Sequence, residues 1–392
     1  MEARKQVLFL TSRFPYPLEK GDKLRAYYQL KQLSETCDVT LICTSEKKVS
    51  DSEMAEINRF CKDVHVLYLG KWGLFLQVLR GITFSKPFQV CFFYRYSHHR
   101  RIKKIIDSLK PDLIYCQLVR MSEYVKNEHH YRKALDYMDV LSKGMERRAE
   151  TEPWYKSWFF ALESKRLKLY EQQIFSYFDF KTIISKQDRD FIFHPQKDEI
   201  HIVPNGISVD FFEKLDVSKK YDIVFTGNFS YAPNIEAAKF LVHEILPILH
   251  KQGTSVRVLL SGASPSKSVQ SLAGSNVTVS GWVDDIRESY QMARLFVAPL
   301  FIGTGLQNKL LEAMASELPC ITTPLVNNAL GATPDKELLI ASDATEFAAK
   351  INTLLLDETK SIELAKNAKS FIAENFSWEK QNEKILSIWK FT

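Results

Sequence analysis

The chain has 392 residues, 45% hydrophobic and 26% charged, ordinary values for a folded protein that exclude a disordered or collagen-like chain. At roughly 150 residues per domain it holds two or three domains; no apolar run approaches the roughly 18–20 residues of a membrane span, and Val7–Leu10 is too short for the apolar part of a signal peptide. The net charge of +6 is uneven: residues 1–205 carry 35 Lys/Arg against 26 Asp/Glu and residues 206–392 carry 18 against 21, so the first half presents either a solvated basic face or a surface for nucleic acid or anionic membrane.

Short β-branched and aromatic runs predict strands at Val7–Thr11, Val39–Cys43, Val64–Leu69, Leu113–Cys116, Lys133–Asp136, Thr182–Ile184 and Ile200–Val203. Their continuous apolar character suits parallel strands covered on both faces. Leu24, Tyr27, Tyr28, Leu30 and Leu33 mark a helical stripe between the first two. Strand–helix–strand order predicts right-handed crossovers and a doubly wound sheet. The turn cluster Val203-Pro-Asn-Gly206 interrupts the pattern, and residues 206–220 read as a linker. The pattern restarts with strands at Asp222–Thr226, Val256–Ser261, Val277–Ser280, Leu295–Ala298 and Cys320–Thr322, separated by helical patterns near 234–249, 284–292, 306–316 and 344–356. The expected fold is α/β: two Rossmann-like doubly wound domains, 1–205 and 206–376, facing a cleft, with a helix over 377–392 crossing back to the first. Ligands of such sheets bind beyond the carboxyl ends of the strands.

Four loops at those ends carry candidate chemistry. In the first, Gly303, Thr304 and Gly305 precede a helix expected to begin near Leu306, so that free N–H groups meet a glycine loop, an arrangement suited to a diphosphate. Gln307 and Asn308 lie at the helix entry, Lys309 adds a point charge, and Glu312, on the same side one turn later, can accept two ribose hydroxyls. In the second, Gly227 and Asn228 follow a strand and precede a helix capped by Asn234, where a phosphate or an acceptor fits. The third, Thr11 to Arg25, is longer than a tight βα connection needs and holds Lys20, Gly21, Asp22 and Arg25. It lacks Gly-x-Gly-x-x-Gly, which argues against a dehydrogenase. The fourth, Leu135 to Ser142, offers Asp136 and Asp139. Read singly, each of these is also compatible with an ordinary loop. Six scattered cysteines without a Cys-x-x-Cys pair predict reduced, buried thiols in a cytoplasmic protein. His98-His99 and His129-His130 lack further ligands, so no metal site is expected.

At these residues the sequence resembles the retaining glycosyltransferases of GT-B fold in the large family-four group. Gly305-Leu-Gln-Asn-Lys309-Leu-Leu-Glu312-Ala-Met-Ala-Ser-Glu-Leu-Pro319-Cys-Ile-Thr is similar to that family's donor-site loop and helix, and its Gln-Asn-Lys insert resembles a subgroup associated with bacterial exopolysaccharide sugar transfer. The Thr11-Ser-Arg-Phe-Pro-Tyr-Pro opening, Val203–Gly206, Phe225–Asn234 and Phe376-Ser-Trp378 are similar to the same subgroup, so the resemblance spans nearly the whole chain. Many members carry two glutamates eight residues apart; here Glu312 is the second and Thr304 stands in place of the first. The family's N-domain histidine aligns with Asp139.

The resemblance implies transfer of a sugar from a UDP- or GDP-linked donor to a glycan or lipid-linked acceptor, with retention and without a metal or other cofactor. Donor contacts would come from Gly227, Asn228, Gly303, Thr304, Gly305, Gln307, Asn308, Lys309 and Glu312, acceptor contacts from Lys20, Gly21, Asp22 and Arg25, and Asp139 would orient hydroxyls. A nucleotide-sugar epimerase of the same fold and a degenerate nucleotide-sugar-binding protein are the alternatives; nucleotide release with and without acceptor separates them. The basic region contains no nucleic-acid recognition module. Peripheral contact with anionic membrane is expected instead, from Trp72, Leu74, Phe75, Leu76, Leu79, Phe84, Phe88, Phe92 and Phe93 among the cations of 71–110, and from Trp154 to Arg166.

Overall fold

The computed structural model describes residues 4–70, 86–302 and 306–391. Met1–Pro204 together with Gln381–Thr392 form one compact unit, and Asn205–Lys380 a second.

In the first unit β1 (Lys5–Thr11), β2 (Cys37–Ser45), β3 (Asp63–Tyr68), β4 (Leu113–Gln117), β5 (Lys133–Asp136), β6 (Phe180–Ile183) and β7 (His201–Ile202) form a parallel sheet in the order β3-β2-β1-β4-β5-β6-β7. Successive side chains leave opposite faces of a strand. Val7 and Phe9 therefore enter one apolar cluster while Leu8 and Leu10 enter another. Both faces are covered, which is why β1 reads as an unbroken apolar run rather than an alternating one. In the second unit β8 (Tyr221–Thr226), β9 (Val258–Ser261), β10 (Val277–Gly281), β11 (Ala293–Ala298), β12 (Cys320–Thr322) and β13 (Leu339–Ile340) form a parallel sheet in the order β10-β9-β8-β11-β12-β13. Both units are thus Rossmann-like, with all the strands expected from sequence and one more, β13, whose two residues are too few to show a pattern. All six cysteines are buried and free.

Residues 206–220, expected to be a linker, are packed into the second unit. The Ile207 amide donates to the Phe376 carbonyl at 2.6 Å, Ile207 pairs with Ser377, and the Phe211 ring lies 6.4 Å from that of Tyr290. Gly206 is required here, because a Cβ would sit 2.6 Å from both the ring and the backbone nitrogen of Trp378. The last helix, Trp378–Trp389, ends in the first unit's core. There Trp389 is fully buried, its ring edge-on to Tyr115 at 4.8 Å, and its carbonyl accepts from the Arg132 guanidinium. No described helix is long and apolar enough to cross a membrane. Of the aromatics expected on a membrane face, Phe93 is buried in core and Phe88 and Phe92 are half-buried; Trp72, Leu74, Phe75, Leu76, Leu79 and Phe84 lie outside the described residues.

Arg25, expected to contact an acceptor, is instead wholly inside the first unit. Its Nε lies 2.6 Å from Asp136 Oδ2 and its Nη2 3.2 Å from Oδ1, with both side chains at 0% exposure. Burial, the largest influence, opposes the charge on Arg25, but Asp136 and Tyr115 together more than offset it and raise the guanidinium pKa. Asp136 also accepts from Thr182 Oγ1 at 3.0 Å, Tyr115 Oη at 3.3 Å and the Met138 amide at 3.3 Å. One carboxylate thereby joins the helix Gly21–Thr36 to β4, β5 and β6. Arg25→Ala leaves that carboxylate buried without its cation, so we expect a loss of about 3–5 kcal/mol in urea unfolding of the full chain. A loss under 1 kcal/mol would show that the pair is not a structural clamp.

Candidate functional site

The strand order of the second unit reverses beside β8: the chain moves outward to β9 and β10, then returns to β11 on the other side. The carboxyl ends of β8 and β11 therefore flank a crevice at a topological switch point, where open α/β sheets bind ligands. Of the sequence-predicted donor residues, Gly227, Asn228, Lys309 and Glu312 come together there. Lys309 lies in the first turn of the helix Asn308–Ala315, after β11, and its Nζ donates to Asn234 Oδ1. It also sits over the Phe225 ring, 5.1 Å from the centroid. Gly227 follows β8 and leaves room for this contact; a Cβ would lie 3.1 Å from Lys309 Nζ and 2.8 Å from Asn234 Nδ2. Asn234 Nδ2 in turn donates to the Asn228 carbonyl at 2.9 Å, while Asn228 Oδ1 accepts from the Ser230 amide and hydroxyl.

Glu312 stands one turn beyond Lys309. Tyr290 Oη donates to Glu312 Oε2 at 2.7 Å and meets Thr226 Oγ1 at 2.8 Å. Burial lowers the Lys309 pKa to about 7, with Glu312 opposing the fall. Burial likewise raises the Glu312 pKa against the Tyr290 hydrogen bond and Lys309. Burial thus works against a permanent positive charge on the lysine expected to supply one. An arriving anion would favour its protonated form.

Several expectations change. The helix begins at Asn308 rather than near Leu306, with Gln307 as its N-cap. Asn308 Oδ1 accepts from Asn205 Nδ2 at 3.1 Å, so this side chain ties the Pro204–Gly206 turn to the helix. Asn234 is not a cap: its helix starts at Ala232, and the side chain bridges Asn228 and Lys309 instead. Gly303, Thr304 and Gly305 lie outside the described residues. Tyr290 was missed because it follows no glycine loop. The only hint is an aromatic hydroxyl in a short helix between two strands.

The first unit has its own switch point between β1 and β4. Lys20, the N-cap of the helix Gly21–Thr36, and Gly21 are exposed. Asp22 accepts from the Arg13 guanidinium, and its carbonyl accepts from Gln117 Nε2 at 3.0 Å. Asp139, in the loop after β5, is open to solvent, yet desolvation by the protein around it raises its pKa, with Arg120 the chief opposing charge. Arg120, missed in the sequence, follows β4 and is held by Gln89 Oε1 at 2.9 and 2.6 Å. Arg13, Asp22, Asp139 and Glu163 all act on its charge. The loops after β1, β4 and β5 thus bring two arginines and two aspartates into one polar group. Arg25 stands apart from it, below the surface.

The family model described as Glycosyl transferases group 1 matches residues 220–357. An uncharacterized 44.6 kDa protein in the cps region of Klebsiella pneumoniae is 23% identical over 396 residues, 96% of this chain and 97% of its own. Among solved structures, sucrose-phosphate synthase from Thermosynechococcus elongatus is similar with a TM-score of 0.71 at 15% identity, over 99% of each chain. HepE of Anabaena, solved in complex with UDP, is similar with a TM-score of 0.68 at 12% identity, over 99% of this chain and 100% of that one. At these identities the structural likeness concerns the fold. The chain has the GT-B fold, and its match to the model of group 1 glycosyl transferases lies within the second unit.

Proposed function

We propose that the protein transfers a sugar, with retention, from a nucleotide sugar held by the second unit to a glycan or lipid-linked acceptor held by the first. The observation that carries this is the Lys309–Glu312 arrangement at the β8/β11 switch point, within the match to the group 1 glycosyl transferase model. UDP is the favoured nucleotide, since HepE was solved with UDP and with UDP-glucose. The amides opening the helix Asn308–Ala315 and Lys309 would take the diphosphate, and Glu312, held by Tyr290, the ribose hydroxyls. Charge building on the leaving diphosphate as the bond from the anomeric carbon breaks would be met by Lys309 and the helix end. The acceptor oxygen would bond to the same face of that carbon, giving its proton to a leaving phosphate oxygen. Asp139 would orient acceptor or sugar hydroxyls.

The helix Trp154–Ile174 supports membrane contact by the first unit. Trp154, Tyr155 and Trp158 are 85%, 56% and 62% exposed. The helix's two acids, Glu163 and Glu171, are buried, which leaves Lys156, Lys165 and Lys168 to set the charge of its outer face.

In calorimetry with UDP, Lys309→Ala should cost roughly 1.5–3 kcal/mol of binding; unchanged affinity would place the donor elsewhere. A lysine whose pKa is about 7 when free must pick up a proton to hold an anion. UDP binding at pH 8 should therefore take up protons in buffers of different ionisation enthalpy, affinity should fall as pH rises above 7, and Lys309→Met should abolish the uptake. Turnover should persist in EDTA; loss restored by manganese would show that a metal takes part. Co-sedimentation with anionic vesicles should exceed that with neutral ones and fall in Trp154→Ala/Trp158→Ala.

A further inference from the structure

The two acids of the helix Trp154–Ile174 are almost wholly buried: Glu163 is 1% and Glu171 2% exposed. They stand about 12 Å apart along the helix axis. Each carboxylate meets the start of another helix of the first unit. Glu163 accepts from the Phe88 and Gln89 amides at 2.8 and 2.9 Å. Glu171 accepts from the Ser142 amide at 3.0 Å and the Ser142 hydroxyl at 2.5 Å. The helices Phe88–Phe93 and Leu141–Thr151 have no side-chain cap of their own, since Pro87 and Val140 precede them. A carboxylate suits the free N–H groups of a helix start. Withdrawing it from water is nevertheless unfavourable, and packing alone would be met by an apolar side chain. The two acids therefore fix something that apolar packing would not.

Both capped starts lead to the polar group beside the β1/β4 switch point. Asp139 is open to solvent, but the chain on either side of it is tied to the helix Trp154–Ile174. Before it, Tyr137 Oη donates to the Glu171 carbonyl at 3.1 Å; after it, Ser142 is held by the Glu171 carboxylate, and the Ser142 carbonyl accepts from Ser164 Oγ at 2.9 Å. Met138 between them has a φ of +60°, a left-handed conformation that disfavours a side chain. It persists because its neighbours over-determine it: its amide donates to Asp136 Oδ1 and its carbonyl accepts from the Ile184 amide at 2.9 Å. On the other side Gln89, fixed through its amide by Glu163, accepts with Oε1 from Nε and Nη2 of Arg120, the chief cation acting on Asp139.

Taking Asp139 to orient hydroxyls, which rests on the function proposed above, we propose that Glu171 and Glu163 are its positioning residues. Glu171 fixes the loop that carries the carboxylate, and Glu163, through Gln89, fixes the guanidinium that acts on it. Asp139 and Arg120 belong to separate loops, and one helix sets them relative to each other.

The test follows the Asp139 carboxyl carbon by NMR in the full chain labelled at aspartate, the resonance being the one absent from Asp139→Asn. The charges that act with Asp139 are Arg120, Asp22, Asp136, Glu171 and Asp188. Glu171→Gln and Glu171→Leu both remove one of them, but only Gln keeps an oxygen for the Ser142 amide, and the Ser142 hydroxyl can turn to accept from its Nε2. The Asp139 titration midpoint should therefore differ between these variants by about half a pH unit or more; equal midpoints would overturn the role of Glu171. Should Glu171→Leu not fold, Ser142→Ala takes its place, judged in the same way against the unmodified chain. Glu163→Gln cannot accept from both amides. Loss of the Glu163 charge alone would lower the Asp139 midpoint, whereas displacement of Arg120 raises it. A rise is expected, and a fall or no change would overturn the role of Glu163; if that variant does not fold, Gln89→Leu should give the same rise, with the same consequence if it does not. In UDP release from UDP-glucose, Glu171→Leu should lower kcat about tenfold with KM within about threefold, and Glu171→Gln should restore it. Added to Asp139→Ala, Glu171→Leu should cost nothing further; a second loss of about tenfold would show that it does not act through Asp139. A chain that releases no UDP would count against glycosyl transfer, and the carbon titrations would still decide the positioning.

Discussion

Parallel strands deliver every following loop to the same edge of a sheet, and the rest of this structure depends on that constraint. Where strand order reverses, at β1/β4 and at β8/β11, helices leave on opposite faces and the loops between them part. A crevice opens there without any side chain having to create it. The polar residues of this protein gather at these two places. Lys309, Glu312, Asn234 and Tyr290 meet at one, and Arg13, Asp22, Arg120 and Asp139 at the other.

The two edges solve the problem of buried charge differently. At Arg25–Asp136 both charges are withdrawn from water and hold each other, with Thr182 and Tyr115 completing the carboxylate's contacts. Such a pair has no capacity left for a ligand; its effect is to fix the helix Gly21–Thr36 against β4–β6. At Lys309–Glu312 burial pushes the two pKa values toward each other, and no close ion pair locks them. Asn234 and Tyr290 hold the two side chains with neutral groups. A site built in this way is ready to become charged when an anion arrives, and it shows why a lysine beside a glutamate one turn away need not form a salt bridge.

The outer face of the first unit follows the same division between what packs and what meets solvent. The aromatics of Phe88–Phe93 go into core or its margin, while Trp154 and Trp158 remain outside on a helix whose acids are buried. Both segments are rich in aromatics, but Phe88–Phe93 carries no Lys or Arg, whereas the helix Trp154–Ile174 sets Lys156, Lys165 and Lys168 beside its exposed rings.

The sequence by itself determined the two parallel sheets, because strands covered on both faces must be apolar throughout and leave runs that can be read without a partner. It also determined the loop–helix segment holding Lys309 and Glu312, since glycines, an amide-rich helix start and a lysine are local features, and the resemblance to GT-B glycosyltransferases rests on the same local string. Helix Glu358–Asn375 was not legible, because its buried stripe of Leu364, Ala365, Ala368 and Ile372 mixes small residues into a polar segment. Tertiary structure alone decided that Arg25 is buried, because its partner lies 111 residues away on β5. It alone brought Tyr290 to Glu312 and Asn234 to Lys309, placed Arg120 beside Asp139, and turned an apparent linker at 206–220 into packed structure against Trp378. Each of these joins residues on separate elements, and the free energy of a contact between distant segments leaves no periodicity in either one.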